Sequence, residues 1–297
     1  MPMTQKRILV VGGTGFLGSE IVNSLHRNGH SVKTLGRRAS SNPSIEHFIG
    51  DISNPVTYRT QIAKWRPEIV VQAAWITDQK EYRTSQSNST YANETIELAN
   101  ICFSSGAQHF LGLGSAAEYG LQENPCSSAT SNPIPRDAYG LAKLSACTRL
   151  MKLGSTLDRT TSWARVFQPY GPSQDINRLL PSANQNLHNN REFQLSHPHQ
   201  ILDWISSRDV AGAVTSIIEN SLPGVFDIGT AIGTSVYEVI TMLSELFGYN
   251  SNLITFQEDE VYDSRFDLAV SKQSPLLLSE WKPQDTLSTG LVWTFGK

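Results

Sequence analysis

Arg7-Ile8-Leu9-Val10-Val11-Gly12-Gly13-Thr14-Gly15-Phe16-Leu17-Gly18-Ser19-Glu20-Ile21-Val22 is the stretch whose reading decides the fold. A short apolar run ends in a glycine cluster, and helical spacing begins directly after it. From Gly13 the cluster reads G-x-G-x-x-G, and from Gly12 it reads G-x-x-G-x-x-G. A strand that feeds a tight turn into a helix N-terminus seats a pyrophosphate, because the first N–H groups of the helix have no partner within it. The glycines divide the work: one permits the turn, one lets backbone approach phosphate, and Gly18 lets the helix pack on the strand.

Outward from this loop, strand and helix signals alternate. Residues 8–11 read as a strand buried on both faces, since none is polar. A helix over 20–27 ends at Asn28-Gly29, and strands follow at 31–35 and 45–49. Residues 61–65 form a helix stopped by Pro67, 69–74 a strand, 90–103 a helix with an apolar stripe, and 110–113 a further strand. A Pro-, Ser- and Asn-rich loop over 124–135 precedes a helix over 138–153 and a strand over 161–166. This alternation predicts an α/β fold: a Rossmann-type, doubly wound parallel sheet with right-handed crossovers. Residues 173–199 are rich in Asn, Gln and His, the composition of loop and short helix and a place for a substrate lid. A helix over 210–218, a strand over 225–228 and a helix over 236–247 complete the pattern. The expected division is a dinucleotide-binding domain over 1–168 and a smaller, mainly substrate-binding α/β subdomain over 169–297, with residues around 201–220 returning to the first.

Bulk properties narrow the partners. The 297 residues carry a net charge of -3, which gives no basic field for nucleic acid or an anionic membrane. Residues 1–7 are polar with no long apolar core, and no run reaches the ~20 apolar residues of a bilayer span. A cytoplasmic location is expected. Cys102, Cys126 and Cys147 show no C-x-x-C spacing and read as reduced thiols. His197 and His199 in a polar loop read as unliganded, so no metal is expected.

Tyr139 and Lys143 stand at i and i+4, on one face of a helix. A free tyrosine titrates near 10, and an ammonium beside it would lower that value and let it serve as general acid or base. The same spacing also fits a buried aromatic beside a solvated lysine. Ser115 lies just past the carboxyl end of the fifth strand, at the sheet edge where ligands bind in open α/β folds.

Taken together, the glycine loop, Ser115 and the Tyr139/Lys143 pair resemble the extended short-chain dehydrogenase/reductase family of NAD(P)-dependent sugar-nucleotide epimerases and dehydratases. The likeness extends to Gly50-Asp51-Ile52, Ala73-Ala74, Asn93 and the segment from Arg165 to Pro172. It continues through Arg208-Asp209-Val210-Ala211 to Ser271-Lys272, Trp281-Lys282-Pro283 and Gly290-Leu291. It implies hydride chemistry with Tyr139 as acid/base, Lys143 on the cofactor ribose and Ser115 on the reacting oxygen. Cofactor contacts are implied for Gly12, Thr14, Gly15, Phe16, Leu17, Gly18, Asp51, Ile52, Ala73, Ala74, Asn93, Gln168 and Tyr170. A nucleoside-diphosphate sugar is implied over Trp75, Ser115, Ala116, Gln168, Arg178, Leu180 and Arg265. A homodimer through the helices over 90–103 and 138–153 is implied as well.

Departures from the family pattern direct the reaction. Dehydratases of the family place Asp and Glu after the catalytic Ser or Thr; here stand Ala116 and Ala117, which argues against dehydration. The second strand ends in Gly36-Arg37-Arg38, where an NAD site offers a carboxylate to the ribose, so NADP(H) is expected rather than NAD(H). Leu202 and Gln168 replace the family's Arg and Asn, leaving Arg178, Arg191 or Arg265 for the diphosphate. The reading is an NADPH-dependent reductase of a nucleoside-diphosphate 4-keto-6-deoxyhexose, as in deoxysugar biosynthesis. Its alternatives are an NAD-dependent sugar 4-epimerase and a non-catalytic NADP(H)-binding regulator.

Overall fold

The computed structural model describes residues 4–39, 42–78, 81–123, 125–256 and 263–296. Residues 1–3 of the polar lead, Asn124 at the head of the polar loop, and Lys297 lie outside the described residues.

Up to the end of the expected first domain the chain forms β1 (Arg7–Val11), α1 (Phe16–Arg27), β2 (Ser31–Gly36), β3 (Glu46–Ile49), α2 (Arg59–Trp65), β4 (Ile69–Gln72), α3 (Ser87–Ser104), β5 (His109–Ser115), α4 (Ala138–Leu157) and β6 (Thr160–Val166). It continues through β7 (Gln168–Tyr170), α5 (Leu179–His188), β8 (Phe193–Leu195), β9 (Ile201–Ser206), α6 (Ser207–Glu219), β10 (Gly224–Ile228), β11 (Gly233–Ser235) and α7 (Val236–Phe247). Last come β12 (Ile254–Phe256), α8 (Pro275–Leu278) and α9 (Leu287–Phe295).

Seven strands pair in the order β10-β6-β5-β4-β1-β2-β3, all parallel. The chain leaves β1 for β2 and β3 on one side and resumes with β4 on the other. The carboxyl ends of β1 and β4 therefore flank the crevice where a doubly wound sheet binds ligands. Alternation along β1 feeds both faces, since successive side chains of a strand point oppositely. Ile8 and Val10 join the apolar layer containing Ile21, Leu25, Val214 and Ile217 of α1 and α6. Leu9 and Val11 join the opposite layer, with Leu98 and Cys102 of α3 and Ala146 and Leu150 of α4.

A second lobe packs Tyr170, Leu180, Trp204, Val239, Leu243 and Leu291 into its own core. Its sheet is small, with β9 between parallel β7 and antiparallel β11, and β12 pairs with β8 separately. Asp203, fully buried on β9, holds the lobe to the main sheet. Its carboxylate accepts from the backbone N–H of Thr230, Ala231 and Val270 and from the Thr230 hydroxyl.

The division differs in detail from the expected one. Residues 201–206 form β9 in the small sheet, while α6 packs against α1 and β10 pairs with β6. The segment that rejoins the main layer thus runs from Ser207 through Ile228. Residues 173–199 hold α5 and β8, and α9 carries Gly290-Leu291.

Candidate active site

A cleft of about 1030 Å³ opens at the carboxyl edge of the main sheet. Its floor begins at the glycine loop. Gly12 has φ +77°, and a Cβ there would come within 2.7 Å of the Ala74 nitrogen. Gly18 abuts the Gly12 carbonyl so closely that a methyl group could not fit. The loop suits a pyrophosphate on two further grounds. The N-terminus of α1 has no side-chain cap, which leaves its first N–H groups available to an anion. Gly15 is exposed to the cleft, and a Cβ on it would find only the Gly12 oxygen within 4 Å.

Gly12, Thr14, Gly15, Phe16, Leu17 and Gly18 line this cleft together with Arg37, Arg38, Asp51, Ile52, Ala73 and Ala74. Both arginines are exposed, and no ion pair joins either to an acid among the described residues. Asp51 is held by Ser53, whose N–H and hydroxyl both donate to it, at 3.0 and 2.9 Å.

The three residues expected to take part in the chemistry converge further along. Ser115 ends β5, and Lys143 on α4 donates to the carbonyl of Leu113, two residues earlier, at 2.7 Å. Asp137 caps α4 by accepting from Gly140 N–H at 2.7 Å, which sets the helix turn carrying Tyr139. Ser115 Oγ accepts from Ala117 N–H at 3.2 Å and lies beside the Tyr139 phenol, whose proton affinity it lowers. Trp75, Ala116, Gln168 and Arg178 line the same space, and the Arg178 guanidinium lies 5.1 Å from the Tyr82 ring centre.

Electrostatics here run against the expected direction for Tyr139. Burial pushes its phenol up to about 12, with the Ser115 hydrogen bond pulling the other way. Burial also pushes the Lys143 amine down to about 7, opposed by the charge of Glu118. The lysine does not bring the tyrosine down, because an amine that titrates near 7 is already neutral at the pH where the phenol gives up its proton.

Beneath Ser115 lies a network that sequence reading missed. Glu118 is fully buried, and its Oε1 accepts from Ser115 N–H at 2.9 Å and from Trp163 Nε1 at 2.8 Å. Its Oε2 accepts from Arg165 Nε at 2.8 Å. Arg165 also donates to the Tyr119 hydroxyl, which donates to Asp227 at 2.7 Å. Gly112 and Gly114 leave the room that the Trp163 ring and the Glu118 carboxylate occupy.

Four expected contacts fall elsewhere. Asn93 is on the exposed side of α3, where Arg149 donates to it at 2.7 Å. The buried stripe of that helix runs through Asn88, Ala92, Thr95 and Ala99, and Tyr91 beside it lines the cleft. Helical spacing from that stripe would have pointed to Tyr91 rather than Asn93. Tyr170 is buried in the second-lobe core against Gly290, its hydroxyl directed at the Leu287 carbonyl. Leu180 is buried in the same core. Arg265 is exposed and paired with Asp263 at 2.8 Å; Asp263, not Arg265, reaches the cleft. Tyr82, Arg83, Arg136, Gln174, His197 and Leu268 line the outer part without having been anticipated as binding residues. No group of three or more metal-ligating side chains occurs among the described residues, and the three cysteines are free. No described helix is long and apolar enough to cross a membrane.

A parallel doubly wound sheet with this strand order, loop and cleft is the frame of the extended short-chain dehydrogenase/reductase class. The chain belongs to the NAD dependent epimerase/dehydratase family, whose model matches residues 8–229. It is 25% identical over 247 residues to GDP-6-deoxy-D-talose 4-dehydrogenase of Aggregatibacter actinomycetemcomitans, covering 81% of this chain and 80% of that one. With dTDP-6-deoxy-L-talose 4-dehydrogenase (NAD(P)(+)) of Kitasatospora kifunensis the identity is 24% over 310 residues, covering 97% and 95%. The crystal structure of UDP-glucose 4-epimerase with UDP-glucose from Thermotoga maritima superposes with a TM-score of 0.84 at 23% identity, covering 98% and 97%, a likeness of fold.

Proposed function

We propose that the protein reduces the 4-keto group of a nucleoside-diphosphate 4-keto-6-deoxyhexose, with NADPH as the consumed reductant. The observation that carries this reading is the surround of Ser115. Its hydroxyl meets the Tyr139 phenol, Lys143 stands one turn on, and the next two residues, Ala116 and Ala117, offer no acid or base. Glu118, the nearest carboxylate in sequence, is buried and engaged by Ser115, Trp163 and Arg165, so it cannot shuttle a proton for elimination of water. Two relatives bear names of 4-dehydrogenases acting on 6-deoxytaloses, the reverse of the same redox step.

The glycine loop with Ala73 and Ala74 would hold a nicotinamide dinucleotide, whose chemistry here would be hydride donation to the carbonyl carbon. The residues supply the rest. Ser115 Oγ accepts from Ala117 N–H, which leaves its own O–H to donate to the reacting oxygen. Tyr139 donates its phenol proton to that oxygen as the alcohol forms, and its raised proton affinity keeps it protonated through neutral pH. Lys143 supplies positive charge beside the developing phenolate and donors for the ribose hydroxyls. Arg37 and Arg38, exposed at the end of β2, supply guanidiniums for a ribose 2′-phosphate. Arg178 at the start of α5 would take the sugar diphosphate. A homodimer through the outer sides of α3 and α4 belongs to this reading; Leu141 on α4 is 62% exposed.

The test offers purified protein NADPH and a panel of dTDP-, CDP-, GDP- and UDP-4-keto-6-deoxyhexoses and follows nicotinamide absorbance. Oxidation of NADPH with at least one member supports the reading. No oxidation with any member overturns it. Protein purified with stoichiometric NAD that interconverts two sugar nucleotides would establish the 4-epimerase instead.

A further inference from the structure

Trp75 stands where the chain leaves β4 for the cleft, and its ring is fixed at both ends. The indole Nε1 donates to Asn88 Oδ1 at 2.8 Å. Asn88 is itself 1% exposed and donates to the carbonyls of Tyr82 and Ser85 at 2.6 and 3.0 Å. Over the ring face lies Lys143 Nζ, 3.7 Å from the centroid. That is well inside the ~6 Å within which a cation is drawn to an aromatic face, and indole is the strongest such face.

The lysine needs such a partner. It is 5% exposed, it donates to a neutral carbonyl, and no carboxylate pairs with it among the described residues. The titratable neighbours are Tyr139 and Cys147, one turn to either side on α4, Glu118 after β5 and Arg165 on β6. Of these Glu118 favours the ammonium by its charge but is already paired with Arg165, and the Tyr139 and Trp163 rings lie further from Nζ, at 5.8 and 5.9 Å.

We infer that Trp75 is a positioning residue, whose indole face holds the Lys143 ammonium in the wall of the cleft and favours its charged form. The inference rests on Lys143 belonging to the reacting group, as argued above. A ring that served only as a platform for cofactor or sugar would change affinity and leave the proton equilibrium of Lys143 untouched.

The experiment titrates cofactor-free protein labelled with 13C at lysine Cε, followed by NMR, with the Lys143 signal assigned by its loss in Lys143→Met. Trp75→Leu should lower the Lys143 midpoint by about one unit, a tenfold shift toward the free amine. Trp75→Phe, which keeps a smaller ring face, should lower it by less, and it carries the test if the leucine variant does not fold. Midpoints unchanged from the wild type in the variants that fold would overturn the inference. The readout needs no turnover. A shifted midpoint in a protein that reduces no sugar would sustain this inference while overturning the reductase reading, and an unchanged midpoint in an active enzyme would do the reverse.

Discussion

Glu118 and Arg165 meet at 2.8 Å directly beneath Ser115, on elements brought together by the pairing of β5 with β6. Glu118 is fully buried and Arg165 is 4% exposed. Removing one partner of a buried pair leaves an uncompensated charge in a low dielectric, at a cost of about 3–5 kcal/mol. Glu118→Ala is therefore expected to lower the unfolding free energy by about that amount, measured by urea denaturation. A loss below about 1 kcal/mol would mean that water reaches this pair as it reaches surface ones.

Substituting Tyr139→Phe removes the proposed proton donor and keeps the ring that packs against Tyr82 at 5.2 Å. Turnover should fall by roughly 10²–10⁴, the usual contribution of a positioned general acid. Cofactor affinity, read by fluorescence titration, should stay within about twofold. Undiminished turnover would remove Tyr139 from the chemistry, and a function indifferent to the change would favour the regulator reading.

Burial lowers the Lys143 amine from its ordinary range to about 7, so in the folded protein it loses its proton before the unfolded chain does. Between about 7 and the ordinary lysine value the unfolded state binds more protons, and stability contributed by this group rises with pH. Below that window the folded state carries the full cost of a buried cation. Lys143→Met should therefore exceed the wild type in melting temperature near pH 7, and the gap should close toward pH 10. Replacing buried ionic groups by apolar ones is neutral or stabilising by about 1–4 kcal/mol, which bounds the gain. A gap independent of pH would show that the amine titrates normally.

Much of this was legible in the sequence, for physical reasons that differ by element. β1 and the glycine loop were readable because a strand apolar on both faces and a turn that admits only glycine leave few alternatives. The ends of α7 were legible at Val236 and Phe247, since Gly248 closes the helix in the left-handed region and Ser235 with Glu238 forms a capping box. By contrast β7, β8 and β11 are three residues each and take their identity from partners distant in sequence. Tyr170 followed the same rule, because its burial depends on Gly290 of α9. Glu118 was invisible for a related reason: its three donors come from Ser115, Trp163 and Arg165, and two of these lie more than forty residues away.

Arg37 and Arg38 carry the expectation about cofactor. Replacing both by Ala should weaken NADPH binding by about 10–100-fold, the loss of one to two charge-assisted hydrogen bonds, and leave NADH binding within about twofold. Equal losses for the two cofactors would place neither arginine on a 2′-phosphate.

In the proposed reaction reductant is consumed and its hydride stays on the sugar. The most direct measurement mixes the protein with NADPH deuterated at the transferring position of the nicotinamide and a 4-keto-6-deoxyhexose nucleotide, then weighs both products. One deuterium at C4 of the sugar and one oxidised cofactor are expected for each alcohol formed. An epimerised sugar without deuterium, beside a cofactor returned to its starting state, would contradict it.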